Sequence, residues 1–177
     1  MFKKILTYGV IAGLIVGSML SAVTISMKDN PPTYGVALGY LTMLVALSLV
    51  FIAVKRYRDL DLGGVIRFWP AFGMGVAISF IAGIFYVTAW EISVAVVNLD
   101  FADSYSKAMI AQHKARGVSG EALAKFVAEM DQFKIQYANP VWRLPMVFAE
   151  IFPVGVLVSL ISAALLRNSR FMPRHTG

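Results

Sequence analysis

Glu150 is a carboxylate inside Leu144–Leu166, an otherwise apolar run long enough to cross a bilayer, and Pro153 follows three residues later. An ionisable group at membrane depth costs about 2.5–3.5 kcal/mol on insertion scales, which marks it as a functional-site candidate. A proline inside a helix removes a backbone donor and presses on the carbonyl four residues back, here that of Ala149. An acid and an unpaired carbonyl then share one turn, with Gly155 adding room for a neighbour. Such a turn needs water, a hydroxyl or a partner helix to complete it. Tyr86 and Thr88, on the preceding apolar block, are the candidate donors; Arg143 falls on nearly the same face as Glu150 but is expected to point outward. Two kinds of chemistry fit this turn. A neutral carboxyl donates a hydrogen bond that locks two helices, or a carboxylate exchanges protons or binds a cation on a water-connected path.

Glu91 is the second acid of the apolar blocks, and depth separates the two. Trp69 and Trp90 are about 31 Å apart along a helix, the spacing of two interfacial aromatic belts. Glu91 is then expected at the outer interface, within reach of water. Trp142 marks the outer start of the last span, and Glu150 lies about 12 Å deeper. Glu150, Pro153, Glu91, Thr88 and Arg143 together form the candidate proton, cation or buried polar site. Asp100 and Asp103 could gather a cation at the outer mouth beside Glu91, although acids at a helix start are ordinary caps. His113 and His175 stand alone in polar segments and are expected to be solvated, so no metal set is predicted. The chain has no cysteine, which removes disulfides, thiolate metal sites and cysteine nucleophiles. It also lacks His-Glu-x-x-His, Gly-x-Ser-x-Gly and Gly-Lys-Ser/Thr motifs, so no catalytic residue and no cofactor is predicted.

The elements that must position these residues are helices in lipid. Of 177 residues, 58% are hydrophobic and 15% charged, against a soluble norm of about 45–50% and about 25%. The apolar residues are gathered into four blocks, Ile5–Met27, Gly35–Val54, Ala71–Val97 and Leu144–Leu166, each with the roughly 20 residues that a spanning helix needs. An all-α integral membrane protein with four transmembrane helices, forming a single domain over residues 1–177, is the expected fold. Lys3 and Lys4 before the first block resemble a secretory signal, but its apolar stretch is long and no clean cleavage site follows, so a retained helix is predicted. Gly9, Gly13, Gly17 and Ser21 recur four apart, a glycine zipper that lets another backbone approach closely. It seats either a neighbour in the same bundle or a second copy.

Basic residues set the expected orientation. Lys3 and Lys4, then Lys55, Arg56, Arg58 and Arg67, then Arg167, Arg170 and Arg174 would all lie on one side of a four-span bundle, the cytoplasmic one. The first connection, Lys28–Tyr34, has one basic residue beside Asp29. The net charge of +6 reflects this bias, not nucleic-acid binding. The second connection, with Arg56, Arg58, Asp59, Gly63, Gly64 and Arg67, is expected to face lipid headgroups, where each cation adds about 1 kcal/mol on an anionic surface. Residues 99–140 form an outer insertion: Phe101, Tyr105, Ala108 and Met109, and after Gly117 and Gly120 the series Leu123, Phe126, Val127, Met130, Phe133 and Tyr137, recur at helical spacing. This predicts an extracytoplasmic amphipathic hairpin, closed by Asn139-Pro140, that lies over the bundle or along the membrane as a cap.

Two stretches carry a family resemblance. Tyr57-Arg58-Asp59 followed by Gly63-Gly64 and Phe68, and Phe148 to Gly155 followed by Ser159-Leu160-Ile161-Ser162, resemble the uncharacterised bacterial membrane proteins grouped as domain of unknown function 4199. The resemblance covers nearly the whole chain. It implies a bacterial inner-membrane location and four helices, and it carries over no activity. The expected function is a helix-packing, interaction or assembly protein of the inner membrane, in contact with lipid and with a homo-oligomeric or membrane-protein partner. The alternative is a small proton- or cation-coupled transporter that uses Glu150; an enzyme acting on lipid has the least support.

Overall fold

In lipid no water is available to pair the backbone, so long apolar segments satisfy their own amides as helices. The structure, a computed structural model, describes residues 1–26, 35–97 and 100–173. Among them are six helices and no strand: α1 (Phe2–Ser26), α2 (Gly35–Asp61), α3 (Phe68–Val97), α4 (Phe101–Ala115), α5 (Gly120–Ala138) and α6 (Pro140–Leu166). Helices α1, α2, α3 and α6 are long and apolar enough to cross a membrane. The first connection and the residues Arg174 and His175 lie outside the described residues.

The helices run past the boundaries that charge suggests. Helix α2 continues from Val54 through Lys55–Asp61 because lysine and arginine are good helix formers outside the hydrocarbon. It stops where Gly63 and Gly64 take positive φ, 68° and 99°, and the Gly64 amide donates to Arg58 O at 2.8 Å. Only glycine adopts that left-handed exit without strain. Helix α6 starts at Pro140, four residues before Leu144: the Asn139 side chain accepts from the Val141 amide at 3.0 Å, and proline at the first position has no amide to leave unpaired. Both Pro145 and Pro153 are accommodated within α6.

Small residues set the packing. A Cβ at Gly9, Gly13 or Gly17 would come within 2.8, 2.6 or 3.0 Å of Ile81, Phe85 or Ala89, respectively. The Ser21 and Ser93 hydroxyls continue that register with a 2.7 Å hydrogen bond. Steps of four in the same direction on both helices make α1 and α3 parallel. Helices α3 and α6 run antiparallel and interlock reciprocally: a Cβ on Gly155 would meet Ser79 Cβ at 2.5 Å, and one on Gly75 would meet Ser159 Oγ at 2.7 Å. Both serines donate to the carbonyl four residues back, that of Gly75 at 3.0 Å and that of Gly155 at 2.7 Å, so close approach leaves no hydroxyl unpaired. Helix α2 packs on α6 and α1, closing the order α1–α3–α6–α2 around a core of Leu47, Val50, Met74, Ile78 and Ile151.

Helices α4 and α5 pack their apolar faces on each other. Tyr105 meets Phe133 at 5.5 Å between ring centroids, and the His113 ring stacks on Phe126 at 3.7 Å, with Nδ1 3.1 Å from Met109 O. The expected cap over the bundle is therefore not formed: the hairpin's apolar stripes face inward, and it joins the bundle at its root. For the same reason His113 is a packed ring, not a freely solvated one.

Candidate functional site

Helix α6 carries Val147 and Ile151 into the core, and about 100° of rotation per residue swings Glu150 off that stripe. Glu150 lies at the edge of the chain, eight residues along the helix from Trp142, partly open on one side and part-buried against α3 on the other. Its partner is Tyr86 of α3, only 4% exposed, whose hydroxyl donates to Glu150 Oε2 at 3.1 Å. Thr88 is not a donor to it; that hydroxyl is turned back to Ile84 O at 2.9 Å. Pro153 is exposed like Glu150, and Gly155, expected to make room beside the acid, faces Ser79 instead. Among the described residues no side chain hydrogen-bonds to Ala149 O.

Nearer the hairpin, Arg143 grips Glu91 through both carboxylate oxygens: Nε donates to Oε1 at 2.8 Å and Nη2 to Oε2 at 2.5 Å. This fork-on-fork pair is the stronger kind of ion pair. The third nitrogen donates to Tyr137 O at 3.3 Å, and the guanidinium lies 5.9 Å from the Tyr137 ring centroid. Tyr137 in turn accepts from Trp90 Nε1 at 2.7 Å, and Phe101 stands edge-on to Trp90 at 4.9 Å. Trp90 therefore pins the hairpin root, while Trp69 and Trp142 point outward as interfacial residues do. Burial pushes the Tyr137 phenol up to about 12 against the opposing pull of the Trp90 bond; Glu150 and Glu91 add to the rise. The hydroxyl stays protonated at neutral pH.

A cavity of about 610 Å³ opens at this root, lined by Val94, Asp100, Phe101, Asp103, Lys134 and Arg143 among others. Its charges have partners. Asp100 caps α4 by accepting from the Asp103 amide at 3.0 Å, and Lys107 sits 2.6 Å from Asp103, holding that carboxyl below its ordinary range. Lys134 is 2.8 Å from Asp131. The expected gathering of Glu91, Asp100 and Asp103 around a cation is not formed, because each carboxylate is engaged separately. Among the described residues no cluster of three or more acids or histidines is placed to hold a metal ion.

The opposite end of the bundle holds a residue whose role sequence reasoning missed. Arg58 is 0% exposed. Its Nε donates to Asp59 Oδ1 at 2.6 Å, Nη1 to Leu166 O at 3.4 Å and Phe171 O at 3.0 Å, and Nη2 to Met172 O at 2.6 Å. Asp59, also buried, takes a second cation from Lys55 at 2.6 Å. Arg58 and Asp59 are thus not headgroup-facing; of the residues expected there, Arg56, Gly63 and Arg67 are exposed. A signal was available in the spacing, since Leu47, Val50, Val54 and Arg58 lie on one buried stripe of α2. What the stripe did not reveal is the acceptor set, backbone carbonyls more than one hundred residues away. Phe171 completes this closure, edge-on to Phe51 at 6.4 Å. Lys4 pairs with Asp61 alongside.

The fold and these two polar layers define an all-α protein with four candidate membrane spans. Residues 7–168 match the family model described as "Protein of unknown function (DUF4199)", and the chain belongs to that family. Neither the curated proteins nor the solved structures contain a match to it.

Proposed function

We propose that this protein is a helix-packing or assembly component of a membrane, acting through contacts made within the bilayer. What supports this reading is Glu150, a carboxylate at the edge of the chain within a long apolar helix, with one buried phenol as its donor. Lipid tails offer no second donor, and a neighbouring helix does. Arg143, the nearest cation along α6, is committed to Glu91. The chain acts as one domain, its glycine zipper (Gly9, Gly13, Gly17, Ser21) holding α1 on α3 so that the α2–α6 side keeps a fixed shape. A bacterial inner-membrane protein with cytoplasmic termini and an extracytoplasmic hairpin fits the charge pattern: Lys3, Lys4, Arg56, Arg67 and Arg167 gather at the end away from the hairpin. There Arg56, Gly63, Gly64 and Arg67 face the headgroups.

The second reading, a small proton- or cation-coupled transporter, draws on the same carboxylate, because Tyr86 links it to the interior of the bundle. Glu150→Gln separates the two. An amide still accepts from Tyr86 and from a neighbouring helix, so the assembly persists and proteoliposomes show no Glu150-dependent, pH-driven flux. Flux in the native chain that disappears in Glu150→Gln with folding intact would overturn the assembly reading.

A further inference from the structure

The cavity at the hairpin root is walled by charges of both signs. Asp100 and Asp103 come from the start of α4, Lys134 from α5 and Arg143 from α6, two acids against two cations. The Asp131 bond foremost, and the charges of Asp103 and Asp100 after it, raise the Lys134 ammonium above its ordinary range, so this cation and the acids sense one another across the opening. Two of the groups have loosely held partners: Lys107, on Asp103, keeps 76% of its side chain exposed, and Asp131, on Lys134, keeps 57%. Exposed pairs of this kind are weak and exchange readily for a better partner. Asp100 has no cation on it among the described residues; its side chain accepts only the Asp103 amide, at 3.0 Å. With the four spans in a bilayer, the cavity lies at headgroup level, because Arg143 follows Trp142 directly and Val94 of the wall is one turn beyond Trp90. Ala95, also in the wall, shares a helix face with Ile92, one turn nearer the hydrocarbon and 57% exposed. An apolar strip therefore leads from the charged cavity toward the lipid tails.

We propose that this cavity seats the headgroup of a zwitterionic phospholipid, its primary ammonium on Asp100 and its phosphate on Lys134. The occupant follows from the walls. Equal numbers of acids and cations match a neutral ligand that separates its charges, whereas a net anion or a net cation leaves one wall unanswered. An ammonium with N–H donors bonds a carboxylate directly, and a phosphate accepts from lysine in the same way. The strip through Ala95 and Ile92 gives the acyl chains a continuous apolar course, which a free zwitterion has no use for. At about 610 Å³ the cavity has the size of a small-ligand site. Glu150 is not part of its wall, so this site goes beyond the assembly reading and does not depend on it.

Native mass spectrometry of the full chain, released from bilayers of equal phosphatidylethanolamine and phosphatidylglycerol with matched acyl chains, tests this. Phosphatidylethanolamine should be retained roughly tenfold over phosphatidylglycerol, the effect of one charge-assisted hydrogen bond. Asp100→Asn keeps the helix cap, since asparagine caps as well as aspartate does, and should erase that preference. Lys134→Gln should lower retention of both lipids roughly tenfold, and Lys114→Gln, exposed at the tip of the hairpin, should change neither. Thermal unfolding of each variant checks that the fold is unchanged. Equal retention of the two lipids by the native chain, a preference that survives Asp100→Asn, or an equal loss in Lys114→Gln would overturn the site. Displacement of the lipid by excess free phosphoethanolamine would overturn a phospholipid as the source of the headgroup.

Discussion

Arg58 and Arg143 occupy opposite ends of the bundle, and each pairs with a carboxylate and reaches a backbone carbonyl, yet their surroundings differ sharply. Arg58 is fully buried and ties α2 to the end of α6 and to the tail through Leu166, Phe171 and Met172. Arg143 and Glu91 keep 23% and 32% of their side chains exposed, and beyond them Glu150 lies part-buried at the edge of the chain with Tyr86 as its donor. A buried guanidinium survives only where its donors are matched, so the tail end is closed and structural. The hairpin end is the more open of the two: its charges are paired, but they keep contact with the surroundings.

That contrast can be broken by mutation, beginning with the largest effect. Arg58→Leu leaves Asp59 buried without its main cation and frees the tail, and should cost about 3–5 kcal/mol of stability in detergent-based thermal unfolding. A loss of less than about 1 kcal/mol, the ordinary yield of a surface pair, would make the two arginines equivalent. Gly155→Ala drives a methyl to 2.5 Å from Ser79 Cβ, and overpacking of that kind costs about 1–3 kcal/mol. The same unfolding assay, with Gly73→Ala as the control because nothing lies within 4 Å of it, isolates the α3–α6 contact. Glu91→Gln should cost about 1 kcal/mol, the top of the range for partly exposed pairs, because the bidentate geometry strengthens a pair that water still reaches in part.

The smallest effect concerns pH at the hairpin root. The Tyr137 phenol is raised from 10.0 to about 12, so the folded state holds its proton longer than the unfolded state does. Its contribution is fully present below about pH 10 and is lost as pH rises through the window from about 10 to about 12. Tryptophan fluorescence, with Trp90 bonded to Tyr137, should show an alkaline step in that window that Tyr137→Phe removes. An unchanged step in Tyr137→Phe would assign it elsewhere.

The four long apolar helices were legible because a segment suited to lipid must meet one requirement at every residue, and long apolar runs meet it visibly. Their ends were less so: charge marks the edge of the hydrocarbon, while Gly63 with Gly64 and Asn139 with Pro140 mark where the helices stop. The stripe of Gly9, Gly13 and Gly17 could be read as a close approach, but its partners Ile81, Phe85 and Ala89 could not, since small residues announce a contact without naming it. Glu150 was readable as an anomaly, but its facing was not, because that depends on which residues of α6 enter the core. Arg58 was misread in the opposite sense: adjacency to a span suggests the surface, and the carbonyls that hold it come from the far end of the chain.

The central claim is that Glu150 is an outward contact group of an assembly within the membrane. Native mass spectrometry from mild detergent on the wild-type chain and on Glu150→Leu tests it most directly. Exposed as it is, the leucine should leave thermal stability within about 0.5 kcal/mol, as a surface substitution does, while the mass of the accompanying chain seen with the wild type disappears. A wild-type chain that flies alone, or one that keeps the same companion after Glu150→Leu, would contradict the account.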